Sequence, residues 1–398
     1  MTGDRPAYHG GDPVRESALG YGGQSITDHE KEALLEALDG DYITRGPTVE
    51  RFEDRMADFL GVDHAVATTS GTTALHLAGA AAGFGPGDEV ITTPLTFVST
   101  AHAATYNDAR PVLADVDPHR RSLDPAAVRD RMTEDTAGLV PMHYGGHPAD
   151  IEGLLAVADD HDLTVIWDAC HGLGGTWRGD PLGAQRDLAT FSFHPVKNVT
   201  TAEGGMVVTD DDAVAARCRR LRSFDMDCDP PGHDDEPWYQ VVEGVGYNYN
   251  FTDIQAALGL AQLDRIEEFK RRREEIIDRY DEAFAGISGL RTPPDPVESD
   301  PMYHLYAIEV REAFGCDRTT FVNALHAENI GVQVHYVPLH FHPYFQEAYG
   351  YERGQFPETE RVYEGLVSLP LFPEMTDGDV RDVVRAVERL HRYVSDAE

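Results

Sequence analysis

His64-Ala-Val-Ala-Thr-Thr-Ser-Gly-Thr-Thr-Ala-Leu-His-Leu-Ala-Gly-Ala-Ala-Ala-Gly-Phe-Gly-Pro-Gly-Asp-Glu-Val-Ile-Thr92 decides the architecture of this chain. Two short apolar runs, His64–Thr68 and Glu89–Thr92, flank a small-residue helical pattern that starts near Ala74. The same alternation continues at Arg110-Pro-Val-Leu-Ala114, Gly138-Leu-Val-Pro141 and Leu163-Thr-Val-Ile-Trp167. Apolar strands alternating with helices predict βα units and a mostly parallel sheet covered on both faces, an α/β fold. No internal repeat or low-complexity tract interrupts the pattern.

Upstream, residues 1–25 are Gly-rich and polar and read as an arm. Thr27-Asp-His-Glu30 has the spacing of a capping box, so a helix is expected through about Leu38. Gly46-Pro47 punctuates, and a second helix is expected from about Thr48 to Leu60. Downstream, a long helical pattern runs from residue 252 to about 286, with Ile254, Ala257, Leu258, Leu260, Ala261, Leu263 and Ile266 on its apolar face. Its second half is dense in charge and reads as a solvated bridge between two domains. After the Pro-rich Arg291–Pro296 turn, an α+β lobe is expected. It comprises a strand at Tyr303–Val310, a helix near Thr319–Glu328, a strand at Gly331–Tyr336 and a closing helix from Asp377 to Tyr393. The expected organisation is an arm (1–25), a large domain (26–265) and a smaller α+β C-terminal domain (266–398).

The chain has 398 residues and a formal charge of −37, from 70 acidic against 33 basic side chains. Such a field repels nucleic acid and anionic membranes, so neither is an expected partner. The acids are spread out, as in Asp210-Asp-Asp212 and Asp234-Asp-Glu236, which resembles the surface of a halophilic protein working where molar salt screens self-repulsion. Four cysteines (Cys170, Cys218, Cys228, Cys316) show no CxxC spacing, which fits a reducing cytoplasm. The N-terminus lacks an apolar signal core and no run reaches the length of a membrane span.

Only three lysines occur, Lys31, Lys197 and Lys270. Lys197 lies in Phe191-Ser-Phe-His-Pro-Val-Lys-Asn-Val-Thr-Thr-Ala-Glu-Gly-Gly205. Arginine replaces a surface lysine at little cost but cannot act as an amine nucleophile. Lys197 is therefore a candidate Schiff-base former, with a surface lysine that escaped replacement as the plain alternative.

Other segments that follow or end strands supply matching chemistry. Gly71 allows close backbone approach, and Thr72 and Thr73 offer hydroxyl and N–H donors at a helix start that favours a phosphate. An ordinary capped helix would have the same sequence. Asp168 closes a strand, at the edge where open α/β sheets bind ligands. There its carboxylate could pair with a protonated pyridine nitrogen or simply cap a helix. Ser192 offers another donor or is a plain strand serine. Phe97 stacks on a ring or fills the core. Together these are the needs of a pyridoxal phosphate (PLP) site.

In the order phosphate loop, aromatic, acid, serine, lysine, the chain resembles the DegT/DnrJ/StrS family of PLP-dependent nucleotide-sugar aminotransferases, from about Gly40 to the C-terminus. Further signposts are Ile43-Thr-Arg-Gly-Pro47, Gly87-Asp-Glu-Val-Ile91, Pro141-Met-His-Tyr-Gly145, Asp168-Ala-Cys-His171, Gly246-Tyr-Asn-Tyr249 and Val334-His-Tyr-Val-Pro-Leu-His340. The resemblance implies the fold-type-I PLP transferase architecture. It implies that Lys197 bonds the cofactor and moves a proton between carbons, Asp168 holds the ring nitrogen, and His171 faces the ring hydroxyl. Thr72, Thr73 and Ser192 would hold the phosphate. Asn248 would reach the cofactor of a neighbouring subunit, giving a homodimer with shared sites. Thr44, His335, Tyr336 and His340 would approach the sugar nucleotide. Two places depart from the family pattern: Asn250 stands where a basic residue is usual, and Cys170 where alanine is.

The implied reaction moves the amino group of glutamate to a nucleotide-linked keto sugar. The Ala202-Glu-Gly-Gly205 ending is similar to members acting at C4 of a UDP-4-keto-6-deoxy sugar; a C3 aminotransferase is the alternative. A sugar dehydratase of the same family would carry histidine in place of Lys197. Outside the family, His335, His340 and His342 suggest a metal-dependent hydrolase, but no further ligand has zinc-like spacing, so no metal is expected. A non-catalytic regulator would need a DNA-binding module, which the chain lacks.

Overall fold

A computed structural model describes residues 5–228, 235–236 and 238–396. Residues 1–4 of the expected arm and Asp234 of the acidic run lie outside the described residues. Seven strands form the central sheet: β1 (His64–Thr68), β2 (Glu89–Thr92), β3 (Arg110–Leu113), β4 (Thr136–Val140), β5 (Thr164–Asp168), β6 (Leu188–Ser192) and β7 (Gly205–Thr209). Their order is β1-β7-β6-β5-β4-β2-β3. All neighbours from β6 to β3 run parallel, and β7 alone is antiparallel to both of its partners, β1 and β6.

The continuous apolar runs have a direct cause. Successive strand residues point to opposite faces, and both faces here are covered. Val66, Ile166 and Val207 pack with the small-residue helix on one side. Their neighbours Ala65, Ala67, Val165, Trp167, Met206 and Val208 pack on the other side, where Phe52 and Met56 meet them.

Helices of the chain include α1 (Asp28–Asp39), α2 (Pro47–Leu60), α3 (Gly71–Ala82), α4 (Val98–Thr105), α5 (Asp253–Asp264), α6 (Ile266–Phe284) and, in the second core, α7 (Arg318–Ala327) and α8 (Asp377–Ser395). Glu30 accepts the Thr27 N–H at 2.7 Å, as its capping-box position requires. A second core gathers under an antiparallel sheet of β8 (Leu290–Arg291), β9 (Tyr306–Val310) and β10 (Leu366–Leu369), with Tyr280, Phe284, Ile308, Phe321, Val383 and Val387 inside. No described helix is long and apolar enough to cross a membrane.

Four expectations for secondary structure are corrected. The long helix breaks at Arg265 into α5 and α6. The second half is solvated on one face only, because Phe269, Ile276, Ile277, Tyr280 and Phe284 form a buried stripe that its dense charges mask in a linear reading. Gly331–Tyr336 is not a strand; only Gln333 bridges to Ser368. The strand expected from Tyr303 starts at Tyr306, since Tyr303 takes a left-handed backbone (φ 49°). The arm is also held down: Leu19 sits in the second core and bridges Ile330.

Candidate active site

The carboxyl ends of β5 and β6 and the start of α3 surround a cavity of about 310 Å³. Its floor depends on close backbone packing. Gly205 pairs with both Thr68 and Ser192 in the sheet, and a Cβ on it would lie 2.1 Å from the Ser70 carbonyl oxygen. A Cβ on Gly71 would lie 2.8 Å from Ser192 Cβ and 3.2 Å from Cys170 Sγ. These glycines let the α3 start, the end of β6 and the residues after β5 converge.

Ser70 Oγ accepts the Thr73 N–H at 3.1 Å, and Thr73 Oγ1 accepts the Ser70 N–H at 2.9 Å. This reciprocal cap turns Thr73 back onto its own helix, so it is absent from the cavity wall. The N–H groups of Gly71 and Thr72 have no carbonyl one turn earlier to bond, which leaves a donor-rich, positively polarised rim. Thr72 lines it and shares a 2.7 Å hydrogen bond with Ser99. Ser192 adds a hydroxyl.

Asp168, at the tip of β5, is buried and held at both oxygens. Thr100 Oγ1 donates to Oδ2 at 2.6 Å, and the Cys170 N–H donates to Oδ1 at 3.1 Å. Thr100 is itself paired with Thr96 at 2.6 Å. Lys197 follows a turn closed by its N–H to the His194 carbonyl (2.8 Å) and lines the same cavity. Burial pushes its ammonium down from the ordinary lysine range, while Cys170 and Asp168 pull the other way. An amine that loses its proton easily is what the nucleophile requires.

His171 is buried, and its tautomer follows from its partners. The Gly145 N–H donates to Nδ1 at 3.3 Å, so Nε2 carries the proton and donates to Tyr336 Oη at 3.1 Å. Burial, aided by Lys197, holds the ring well below the usual histidine range. The ring of His304 lies 4.1 Å from it, with Nδ1 buried and unpartnered among the described residues. Phe97 is not core: it is 53% exposed at the cavity mouth, with its ring 5.9 Å from Tyr336.

The cavity thus collects Gly71, Thr72, Phe97, Asp168, His171, Ser192 and Lys197 from the large sheet, and His335 and Tyr336 from the second lobe. It does not collect Thr44 or Asn248, which are exposed elsewhere, or His340. His340 is buried against Phe356 and bonds Glu360 at 3.0 Å. His340 and His342 share no strand face, because Leu339–Phe341 is a 3₁₀ turn and His342 caps the next helix. No group of three or more metal-type ligands occurs among the described residues. The sequence reading missed Tyr21, Ser70, Ser99, Cys170 and His304 in the wall. Ser70 and Cys170 fall within motifs already quoted and Ser99 stands two residues after Phe97, whereas Tyr21 and His304 carry no local signal.

This donor set fits pyridoxal phosphate. A depressed amine faces a held carboxylate, and a helix-start anion rim lies at the backbone cradle that a Cβ would fill.

A family model described as the DegT/DnrJ/EryC1/StrS aminotransferase family matches residues 24–388. The spore coat polysaccharide biosynthesis protein SpsC of Bacillus subtilis is 42% identical over 380 residues, covering 94% of this chain and 98% of SpsC. Spr1654 from Streptococcus pneumoniae, assigned as a sugar aminotransferase, superposes in its PLP form with a TM-score of 0.88 at 28% identity, over 95% of this chain and 99% of its own; its PMP form is also solved. Helicobacter pylori PseC, an aminotransferase involved in the biosynthesis of pseudoaminic acid, matches with a TM-score of 0.88 at 27% identity, covering 95% of this chain and all of PseC (100%).

Proposed function

This chain belongs to the DegT/DnrJ/EryC1/StrS aminotransferase family and is a PLP-dependent sugar aminotransferase, and on that premise we propose its substrates. It moves the amino group of glutamate to C4 of a nucleotide-linked UDP-4-keto-6-deoxy sugar, acting as a cytoplasmic homodimer. One observation carries the catalytic assignment: the depressed amine of Lys197 shares a cavity with the held carboxylate of Asp168 and the α3 rim.

When bound, pyridoxal phosphate supplies a carbonyl for amines and a ring that draws electrons from the substrate carbon. Lys197 Nζ takes the proton from the α-carbon of glutamate and, in the reverse direction, returns a proton to the amino-bearing carbon of the sugar. Asp168, fixed by Thr100 and the Cys170 N–H, would hold the ring nitrogen. Thr72, Ser192 and the first-turn N–H groups of α3 would hold the phosphate. His171, neutral and protonated at Nε2, is oriented by Gly145 and Tyr336 rather than by charge. Phe97, at the mouth, offers a ring face on the solvent side.

The C4 preference is supported by Ala202-Glu-Gly-Gly205, which closes the Lys197 loop. The dimer is supported by Asn248, exposed and outside its own cavity, next to the exposed apolar residues Phe224, Val242 and Val245. Four unpaired cysteines accord with a reducing compartment. A panel of 3-keto and 4-keto UDP-, TDP- and GDP-sugars with glutamate in high salt tests the reading. One 2-oxoglutarate per 4-amino sugar is expected. Amination at C3 alone, or release of 2-oxoglutarate without an amino sugar, would overturn the substrate assignment. Lys197→Ala should lose turnover and the borohydride-trapped adduct at that position; a trapped adduct elsewhere would remove Lys197 from its role.

A further inference from the structure

The N-terminal segment, expected to be a free arm, is strapped across the second lobe, and one of its residues enters the active cavity. The strap is pinned at several points. Glu328 accepts the N–H groups of Ala7 and Val14, each at 2.8 Å, and is itself ion-paired with buried Arg389. Arg15 bonds Asp379 at 2.6 Å and Asp382 at 2.8 Å. The Leu371 N–H donates to the Tyr21 carbonyl at 3.1 Å, and the Gln262 side chain donates to the Ser25 carbonyl at 2.8 Å. Tyr21 therefore sits on a stretch fixed on both sides.

Its ring lies 5.5 Å from His335, and Gly22 brings the strap within van der Waals reach of Val196, next to Lys197. A Cβ on Gly22 would meet Val196 Cγ1 at 3.5 Å. Tyr21 lines the cavity, half-buried, and its ring makes a contact with His335 while its hydroxyl is not tied to another described side chain. Partial burial keeps it protonated, so it remains a donor. A phenol hydroxyl on a cavity wall with no protein partner is free to donate to whatever fills the cavity. The residues suited to the cofactor come from the large sheet, whereas Tyr21 arrives with His335 and Tyr336 on the other wall.

Resting on the aminotransferase reading above, we propose that Tyr21 is a specificity-determining contact for the sugar acceptor, donating its hydroxyl to the sugar nucleotide and taking no part in the use of glutamate. A pyranose presents hydroxyls and C–H faces, and a phenol offers both a donor and a ring. Glutamate is much smaller, and its amine would take the place of the Lys197 amine on the cofactor without needing the far wall.

The two half-reactions share one cavity but can be run apart. Wild-type, Tyr21→Phe and Tyr21→Ala holoenzymes are mixed with glutamate alone, and conversion of the cofactor is followed by absorbance. The aminated holoenzymes are then mixed with the keto sugar. Tyr21→Phe should raise the KM for the sugar about 3- to 10-fold, the loss of one neutral hydrogen bond. The glutamate half-reaction, the cofactor content and the unfolding midpoint should stay at wild-type values. Binding of the amino-sugar product, measured by calorimetry, should weaken by the same factor. Equal losses in both half-reactions, or no loss in either, would overturn the proposal. Wild type that takes only 3-keto sugars overturns the C4 assignment, and the Tyr21 comparison is then read on that sugar. Wild type that accepts no nucleotide-linked keto sugar overturns both.

Discussion

Gly205→Ala is the sharpest probe of how the backbone builds the site. Nothing in the local conformation of Gly205 forbids alanine, since its φ lies outside the left-handed region. The obstacle is the Ser70 peptide: a new Cβ would stand 2.1 Å from its oxygen, 2.3 Å from its carbon and 2.6 Å from Gly71 N. Ordinary contact begins near 3.4 Å, so the α3 start must retreat by about 1.3 Å. A backbone group cannot rotate away as a side chain can. Overpacking of this kind costs about 1–3 kcal/mol of stability, a drop of a few degrees in Tm. The larger effect falls on the anion rim, because a displacement of about 1 Å can cost on the order of 100-fold in a positioned site. Titration of the apo-protein with pyridoxal phosphate should show a Kd raised about 10- to 100-fold. Gly286→Ala, where a Cβ meets nothing within 4 Å, is the matched control. A Gly205→Ala protein with wild-type Tm and a cofactor Kd within about twofold of wild type would refute the cradle argument, since a factor of 10 is about 1.4 kcal/mol.

Phe97→Ala should weaken cofactor binding and slow turnover while leaving Tm nearly unchanged, because an aromatic ring 53% exposed contributes little to the core; a large loss of Tm would return Phe97 to a structural role. Burial holds His143 down to about 3 and His147 to about 4, and His335, with Lys197 adding to burial, also to about 4. Their folded values lie below the unfolded value of about 6.5, so the unfolded chain takes up protons first as pH falls. Stability should hold above about pH 6.5 and decline towards pH 4, and His143→Asn should flatten that decline in urea titrations. Unchanged slopes would place these rings in water. Glu309, fully buried, pairs with buried Arg121 at 2.9 Å and also meets Arg311. Glu309→Gln leaves buried guanidinium charge uncompensated and should cost about 3–5 kcal/mol in chemical denaturation; a neutral result would mean that solvent reaches the cluster.

The elements legible in the sequence are those whose causes are local. Both faces of the sheet are covered, so Val165, Ile166 and Trp167 had to be apolar in succession, and the strand showed itself. The acid was legible because it closes a short apolar run, and the lysine because it is one of three in the chain and lies between such a run and a glycine pair. Thr73 shows the limit of that logic. Thr72 and Thr73 looked equivalent, and only the geometry of the cap shows that Ser70 and Thr73 satisfy each other while Thr72 faces the cavity. The break at Arg265 was hidden for a similar reason. Helical periodicity continues through it, and the angle that sends α6 to the second core is set by packing rather than by propensity.

Tyr21 and His304 lie beyond any local signal. Tyr21 precedes Lys197 by most of a domain, and a glycine-rich polar stretch gives no apolar period to follow. What places it is a set of long-range bonds: Glu328 to Ala7 and Val14, and Leu371 to Tyr21. Each bond in the set joins residues more than three hundred positions apart, as the 321-residue separation of Ala7 and Glu328 shows. The two walls of the cavity are thus built on different cores. The large sheet supplies the groups proposed to hold the cofactor from the ends of several of its strands, which a linear reading can follow. The second lobe and its strap supply the acceptor wall from segments that meet only after folding. Acceptor choice can therefore change through the strap and lobe without disturbing Lys197 or Asp168, because Tyr21 shares no hydrogen bond with either.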